Sequence, residues 1–264
     1  MTARHAHHLA GEPGGPRRNR GDRRDTGAGQ RALTTAPLVE SKAVWTVPRQ
    51  PAALTAFKVT GVAVSGALFV SLLVRIAVGL SAATSAWLVL PAFLLGYFFA
   101  DLVSGTAHWF CDTFFEEDTP VIGKIVIRPF RDHHVHPQRI TCYRFIEQDT
   151  TNFFLMLPPL AVAFWIGAPW PESVGALFWC CCLLGLATGS FGTNLFHKWA
   201  HAEDPPVVGR WLQRAGLVLG SARHQRHHRD YSRGFCVTSG WMNPLLDALH
   251  FFPRVELLVR LLQR

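Results

Sequence analysis

Residues 82–112 read AATSAWLVLPAFLLGYFFADLVSGTAHWFCD, an apolar run that passes directly into a polar stretch containing a histidine. The part Ala82–Ala100 has no charged residue, and a helix needs about 20 such residues to cross the hydrocarbon core of a bilayer. Asp101, His108 and Asp112 follow at spacings of seven and four, which place them on one helix face. The stretch predicts a membrane-crossing helix that carries acidic and imidazole side chains beyond one end.

Three other segments are equally apolar, and Arg75 is their only charged residue: Val59–Leu80, Thr150–Trp170 and Ser173–Phe196. Helix is the form open to such isolated segments, because backbone amides in lipid must be satisfied within the segment. The connections Leu80–Ala82 and Trp170–Ser173 are short, so the segments pair as two helical hairpins. We therefore expect an all-α membrane protein with four transmembrane helices.

The composition excludes an ordinary soluble domain. The 264 residues are 49% hydrophobic and 17% charged, against about 25% charged residues in soluble domains. The formal net charge of +8 does not indicate nucleic-acid binding, because the basic residues lie in Met1–Lys58 or flank apolar segments, where they would meet lipid headgroups. The cysteines Cys180, Cys181 and Cys182 lie inside an apolar segment and are interpreted as small hydrophobic residues.

The chain divides into three parts by composition. The first residues are rich in Gly, Pro, Arg and Ala without an apolar period, and such a segment cannot bury enough surface to offset its ordering entropy. The last residues alternate leucine and valine with arginine, as an interfacial helix does. We expect a disordered basic tail at residues 1–52, a membrane domain at 53–252 and an interfacial amphipathic helix at 253–264.

The distribution of basic residues predicts the orientation in the membrane. Ten of the 26 precede the first apolar segment, five lie between Thr113 and Asp149, ten follow Phe196, and Arg75 alone lies near the opposite face. By the positive-inside rule, both termini and the central loop are cytoplasmic. The Arg- and Ala-rich tail favours a bacterial plasma membrane over an endoplasmic reticulum.

The histidines form four clusters, all on the predicted cytoplasmic side. The clusters are His108 with Asp112, His133-His134-x-His136, His197-x-x-x-His201 and His224-x-x-His227-His228. His250 stands apart and is interpreted as an ordinary interfacial residue. Residues three or four apart share one helix face, so the last two clusters each point one way.

Several imidazoles aimed at one place favour a metal centre. They cannot all be protonated there without strong repulsion, whereas neutral imidazoles can share a cation. A structural zinc site has four ligands and commonly uses cysteine, so eight or nine candidate ligands fit two ions better. Imidazole accepts iron, copper, nickel and zinc, and ligand type alone leaves the metal open.

Five motifs resemble those of the Kua/CarF family of lipid desaturases. They are the run from Asp101 to Thr113, Arg128-Pro-Phe-Arg-Asp-His133-His134, Asn194-Leu-Phe-His197-Lys-Trp-Ala-His201, Arg223-His224-Gln-Arg-His227-His228 and Thr238-Ser-Gly-Trp-Met-Asn243. The motifs occur in order between Gly96 and Asn243. The resemblance does not extend to the basic tail or to the last twenty residues.

This resemblance implies a di-iron, oxygen-dependent lipid desaturase domain at residues 53–252. Its implied ligands, which are also the implied catalytic residues, are His108, His133, His134, His197, His201, His224, His227 and His228. Asp112 would be a further ligand or a hydrogen-bond partner of one, and His136 is left out. Spacing alone, without the family, predicts that Asp101 and Asn194 hydrogen-bond to ligand rings and fix their orientation.

The resemblance also implies a substrate and partners. We expect desaturation of the sn-1 alkyl chain of an ether phospholipid, which converts a plasmanyl into a plasmenyl lipid. Two electrons would come from an external donor of the cytochrome b5 or ferredoxin type, because the chain has no flavin, haem or dinucleotide motif. The alternatives are an acyl-chain desaturase or hydroxylase with the same metal site, a zinc-dependent membrane hydrolase and a non-enzymatic metal-handling protein.

Two features could contact the lipid. Small residues on the last apolar segment allow close approach of either a lipid chain or the second helix: Gly185, Ala187, Gly189, Ser190 and Gly192. Four basic residues of the central loop could bind a phosphate headgroup or simply flank the membrane: Lys124, Arg128, Arg131 and Arg139. For any single one of these residues, we favour the interpretation that it flanks a membrane-crossing segment.

Overall fold

The computed structural model describes residues 49–82, 86–120, 122–168 and 171–263. In these ranges the regular structure is helical, without strands, and the α-helices are α1 (Ala52–Ala82), α2 (Val89–Thr113), α3 (Arg128–Val135), α4 (Phe145–Gln148), α5 (Phe153–Ile166), α6 (Val174–His201), α7 (Val207–Arg214), α8 (Ser221–Arg229), α9 (Asn243–Ala248) and α10 (Phe251–Leu262). The expected all-α fold is confirmed. Almost all of the predicted basic tail lies outside the described residues.

Three helical stretches are long and apolar enough to cross a membrane: Ala52–Leu80, Ala86–Thr113 and Val174–His201. They match three of the four predicted spans, and each extends further than its apolar core. The second continues past Ala100 to Thr113, so Asp101, His108 and Asp112 share one helix as the spacing predicts. The third continues to His201. The described chain is therefore that of a membrane protein.

The remaining predicted span is shorter than expected. Helix α5 has 14 residues, which is about 21 Å at a rise of about 1.5 Å per residue, against a hydrocarbon core of about 30 Å. A 3₁₀ turn, Asp149–Asn152, precedes it, and there the Asn152 Nδ2 donates to the Ser190 carbonyl at 3.1 Å. The fourth complete crossing stays a prediction.

Helices α2 and α6 are in backbone contact at their glycines. A Cβ on Gly96 would collide with the Cys182 carbonyl, one on Gly185 would collide with the Phe93 carbonyl, and one on Gly189 would lie 2.5 Å from the Ala100 Cβ. This leaves no room for a lipid chain between the two helices at that level. The proposed lipid path between the two helices is wrong there, and the role of Gly185 and Gly189 is close helix packing.

Two apolar clusters support the helices. The first fills the space between α1, α2, α5 and α6 and includes Leu72, Leu160, Leu177 and the buried cysteines Cys180–Cys182, which act as small hydrophobic residues as predicted. The second packs the chain after α8 onto the end of α2 and includes Trp109, Phe235, Cys236, Met242, Leu246 and Phe252. The second cluster lies beside His108, whose ring centroid is 6.0 Å from that of Phe235.

Two short helices expose apolar side chains. Helix α7 exposes Val207, Val208 and Trp211, and α10 exposes Leu257, Leu258, Leu261 and Leu262. His250, just before α10, adopts a left-handed conformation with φ of 48° and introduces the turn into that helix. Exposed apolar side chains of this kind suit helices that lie in a membrane interface.

Candidate metal centre

Four helices bring every predicted ligand to one place. Helix α2 supplies His108 and Asp112 from its last turns, α3 supplies His133 and His134, α6 supplies His197 and His201, and α8 supplies the three others. On α2, α6 and α8, spacings of three and four residues make the side chains face one way, whereas His133 and His134 are adjacent on α3. Nine side chains from four parts of the chain thereby converge at one end of the long helices.

The nine side chains form two groups. Within each group the potential ligand atoms all lie within 4.8 Å of one another. We name the first the carboxylate cluster, which consists of His108, Asp112, His134 and His227. We name the second the imidazole cluster, which consists of His133, His197, His201, His224 and His228. The two groups adjoin, since the ring centroids of His133 and His134 are 4.3 Å apart.

In the carboxylate cluster, three imidazole nitrogens surround one carboxylate oxygen. The Asp112 Oδ2 lies 3.3 Å from the His108 Nε2, 3.5 Å from the His134 Nε2 and 3.9 Å from the His227 Nε2. The His134 Nε2 is 3.4 Å from that of His108 and 3.3 Å from that of His227. All four ligand atoms therefore point into one small space.

In the imidazole cluster, several nitrogens crowd around the His224 Nε2. It lies 2.8 Å from the Nε2 atoms of both His197 and His201 and 3.0 Å from that of His228. A single proton on His224 can be donated to only one of these three neighbours. The His133 Nε2 is buried and has no hydrogen-bond partner among the described residues.

These distances fit a shared cation in each cluster. Two imidazole nitrogens that each lie about 2.1 Å from one ion, at bond angles of about 90–110°, are roughly 3.0–3.4 Å apart. The nitrogen–nitrogen distances of both clusters lie in or close to this range. Buried lone pairs so close together repel each other unless a cation lies between them. The residues present therefore fit one metal ion per cluster.

Burial keeps the imidazoles neutral, as metal binding requires. Desolvation, followed by repulsion from His227 and other nearby imidazoles, lowers the pKa of His134 to about 3. Desolvation and then His227 lower the pKa of His228 to about 4. Desolvation, followed by repulsion from neighbouring imidazoles, lowers the pKa values of His133 and His224 well below the usual value, the first neighbour being His134 for His133 and His201 for His224. At neutral pH these rings present lone pairs rather than charges.

Two ligand rings of the carboxylate cluster are oriented by backbone carbonyls. The His108 Nδ1–H donates to the Phe235 carbonyl at 3.1 Å, and the His227 Nδ1–H donates to the Arg233 carbonyl at 2.7 Å. Each bond fixes the tautomer that leaves the Nε2 lone pair facing the cluster. These partners cannot be predicted from the sequence, because a backbone carbonyl leaves no signal in the residue type.

Asp101 does not contact a ligand ring, so its predicted role is wrong. Its carboxylate accepts hydrogen bonds from the Ser239 amide at 2.7 Å, the Ser239 hydroxyl at 2.8 Å and the amides of residues 240–242 at 2.6–3.2 Å. Two helical turns separate Asp101 from His108, which is too far for a direct bond. It instead holds the segment 233–243 that supplies the two carbonyls.

Asn194 also has a role other than the one predicted. Its Nδ2 donates to the Gln148 carbonyl at 3.2 Å and approaches the Thr151 hydroxyl at 3.5 Å, so it joins α6 to the turn before α5. The spacing places Asn194 on the same helix face as His197, but its side chain bonds to the turn before α5 and not to a histidine ring. His136 and His250 belong to neither cluster.

The basic residues of the central segment form ion pairs within the chain. The Arg131 Nη1 lies 2.8 Å from the Glu116 Oε2, the Arg139 Nη1 lies 2.9 Å from the Asp132 Oδ1, and the Arg128 Nε lies 3.9 Å from the Glu117 Oε2. The Lys124 side chain lies outside the described part of the chain. These pairs favour a structural role over headgroup binding for the three arginines.

Comparison with known proteins agrees with this site. Residues 97–264 match the model of the lipid desaturase domain family, a range that holds all nine side chains. The chain is 42% identical over 175 residues to a plasmanylethanolamine desaturase of Myxococcus xanthus, covering 66% of this chain and 61% of that protein. It is 36% identical over 177 residues to plasmanylethanolamine desaturase 1 of Mus musculus, covering 66% and 65%.

A plant relative is similar over nearly the same length. The chain is 35% identical over 175 residues to the Arabidopsis thaliana protein named fatty acid desaturase 4-like 2, chloroplastic, covering 62% of this chain and 57% of that protein. The chain thus spans less than two thirds of the length of each of these relatives, and no solved structure matches it. The family match nevertheless covers well over half of the chain and confirms the resemblance in the motifs. The chain belongs to the lipid desaturase domain family.

Proposed function

We propose that this protein is a di-iron, oxygen-dependent membrane lipid desaturase that introduces the vinyl-ether double bond into the sn-1 alkyl chain of an ether phospholipid. The observation that carries the proposal is the convergence of eight imidazoles and one carboxylate in two adjoining clusters. The names of the bacterial and mouse relatives support an ether lipid as substrate.

The two clusters would hold one iron each. When bound, the iron pair would supply the capacity to reduce dioxygen and to remove hydrogen from an unactivated C–H bond. Iron accepts imidazole and carboxylate ligands, and the absence of cysteine from both clusters disfavours a closed structural zinc site. The count of nine donors exceeds what a hydrolytic site with one open position requires.

The chain's own residues hold the ligands in place and exclude water. His108, His227 and His224 are at most 2% exposed, and the Phe130 and Phe235 rings lie against His108 with centroid distances of 5.5 and 6.0 Å. Asp112 is the one carboxyl group among the nine side chains, which distinguishes the carboxylate cluster chemically from the imidazole cluster. A dry, apolar surround protects reactive species from side reactions with solvent.

The proposed setting follows the distribution of charge. Both clusters lie at the ends of α2 and α6 that are near the basic segments, and we place this end, with both termini, on the cytoplasmic side of a bacterial plasma membrane. Two electrons per turnover would come from an external protein of the cytochrome b5 or ferredoxin type.

The test is a lipid analysis of cells that lack vinyl-ether lipids, make the full chain and are fed a 1-O-alkyl glycerolipid. We expect oxygen-dependent formation of acid-labile plasmenyl lipid, because acid cleaves a vinyl ether and releases an aldehyde. The His134→Ala variant, made at an equal level, should form none. An alkyl chain deuterated at its first two carbons should lose one deuterium from each.

A second candidate is supported by the name of the plant relative. If the chain acts on an ester-linked acyl group, the same cells should contain a new double bond in an acyl chain and no acid-labile lipid. That result would replace the ether-lipid substrate while keeping the desaturase. Lipid turnover without oxygen, in protein that contains zinc, would contradict the desaturase itself.

A further inference from the structure

Helix α8 has two chemically different faces. Its inner face carries His224, His227 and His228, which belong to the metal clusters. Its outer face carries exposed arginines, and a further exposed arginine lies four residues after the end of the helix. We name this set the arginine face, and it consists of Arg223, Arg226, Arg229 and Arg233. Asp230, the one acidic residue between Ser221 and Arg233, pairs with Arg233, whose Nε lies 2.6 Å from the Asp230 Oδ2. The other three arginines leave the surface over the metal centre cationic.

The arginine face differs from the surfaces that suit lipid. Helices α7 and α10 expose valine, tryptophan and leucine side chains, whereas α8 has no large apolar residue from Ser221 to Arg229. A helix that lies in a membrane interface buries an apolar face among the acyl chains. The outer face of α8 has no apolar side chains to bury among acyl chains, and so it suits contact with a water-soluble protein.

One aromatic ring connects this surface to the metal centre. Tyr231 is 52% exposed, and its ring stacks on His134 at a centroid distance of 4.7 Å and an interplanar angle of 16°. It also lies 5.9 Å from the ring of His227 and 6.3 Å from that of His228. A solvent-exposed ring is thereby in contact with ligand rings of both clusters.

We propose that the arginine face is the docking surface for an acidic one-electron carrier protein, whose electrons enter the metal centre beside Tyr231. This inference rests on the proposed desaturase function. Electron tunnelling weakens steeply with distance, so a carrier gains most by docking where ligand rings lie closest to the surface. Arg226 and Arg229 form no ion pair with any other described residue, which leaves their charges for a partner.

The electron balance requires such a partner. Reduction of one dioxygen to two waters consumes four electrons and four protons. Conversion of a CH₂–CH₂ unit to CH=CH supplies two of each, the carrier supplies two electrons in two successive one-electron steps, and solvent supplies two protons. The carrier is oxidised twice in each turnover, so it must bind and leave quickly. Charge-steered docking provides fast association of this kind.

The test uses the full chain in lipid nanodiscs and the double variant Arg226→Glu/Arg229→Glu. Its matched control is Arg214→Glu/Arg254→Glu, which makes the same change of charge at exposed positions on α7 and α10. Turnover is driven either by dithionite or by a reduced carrier, with cytochrome b5 and a [2Fe–2S] ferredoxin tried in turn. We expect the apparent KM for the carrier to rise about tenfold at low salt in the double variant alone.

Two further readouts separate docking from damage to the site. Dithionite-driven turnover and metal content should be unchanged in the double variant, and the rise in KM should shrink as salt increases. Tyr231→Ala should lower the carrier-driven kcat without changing the KM for the carrier, and Tyr231→Phe should restore the kcat because it keeps the stacked ring.

Several results would overturn the docking surface. One is a KM for the carrier that is equal in the double variant and the wild type. Another is a wild-type protein that turns over with dithionite but with neither cytochrome b5 nor the ferredoxin. A loss that also occurs with dithionite and varies with the fraction of anionic lipid would assign the arginine face to the membrane. Absence of turnover with every reductant would instead refute the proposed desaturase. In that case, binding of oxidised cytochrome b5 that the double variant loses and the control keeps would still support the surface.

Discussion

The carboxylate cluster and the imidazole cluster are both built mainly from histidines but are held in different ways. In the imidazole cluster, four of the five histidines come from two helices, α6 and α8, at spacings of four residues. In the carboxylate cluster, two of the three rings are fixed by carbonyl groups of residues 233 and 235, which lie outside any helix.

The two clusters therefore depend on different parts of the chain for their geometry. Helix geometry alone aligns side chains four residues apart, so the imidazole cluster depends mainly on α6 and α8 forming and packing. The carboxylate cluster also needs the segment 233–243, which Asp101 holds through its carboxylate. Asn243 assists by bonding both backbone groups of Cys236, at 2.8 and 2.9 Å. Variants can therefore disable one cluster while sparing the other.

The largest effect is expected from His224→Ala. Its Nε2 is the atom that the other nitrogens of the imidazole cluster surround, so the site loses its central ligand. Activity should fall by far more than the roughly 10–100-fold typical of losing a ligand's hydrogen-bond partner. Metal analysis should show the loss of about one ion per chain, with the carboxylate cluster still loaded. Loss of both ions would show that the clusters are one cooperative site.

Asp112→Ala should have the next largest effect, on the other cluster. It removes the only carboxylate and leaves three neutral imidazoles, which weakens attraction for a divalent cation. We expect the loss of about one ion and of most lipid turnover. Asp112→Asn keeps the shape without the charge and is the matched control for packing. Full metal content in both variants would contradict a ligand role for Asp112.

A smaller effect is expected from Asp101→Asn, which tests the support rather than the ligands. The amide offers one acceptor oxygen where the carboxylate oxygens accept five hydrogen bonds, so buried amides of residues 239–242 lose their partners. Metal affinity of the carboxylate cluster should fall by roughly 10–100-fold, and the imidazole cluster should keep its affinity. Asn194→Ala is the control, because Asn194 contacts no ligand ring and should leave both affinities unchanged.

The smallest effect concerns the metal-free protein and pH. Burial lowers the pKa of His134 to about 3 and of His228 to about 4, from an ordinary 6.5. Below about pH 6.5 the unfolded chain therefore binds protons that the folded chain does not, and stability falls as pH falls. Thermal unfolding after chelation should occur several degrees lower at about pH 5.5 than at about pH 7.5. An unfolding temperature independent of pH would mean that these rings are solvated.

The long helices and the convergence of most of the histidines can be predicted from the sequence, because both depend on local spacing. His197 with His201, and His224 with His227 and His228, are aligned by helical repeat alone, and the structure brings them to one place. The motif resemblance added His133 and His134, whose direction no spacing rule predicts.

What the sequence did not reveal depends on contacts between distant residues. The helix face that Asp101 shares with His108 predicts a bond to a histidine ring, but the partners of Asp101 lie 138–141 residues further along the chain. Small residues on α6 are compatible with either a lipid path or a helix interface. Only the packed structure, in which α2 and α6 are in backbone contact at Gly96 and Gly185, decides for the interface. The shortness of α5 reflects polar side chains, such as Asn152, that bond to α6 instead of entering a span.

The most direct test of the two-cluster centre is the metal content of the purified full-length chain, measured by elemental mass spectrometry together with that of Asp112→Ala and His224→Ala. We predict about two irons per chain in the wild type and about one in each variant. A wild-type chain that binds a single ion, or that retains zinc in place of iron with full lipid turnover, would contradict the account.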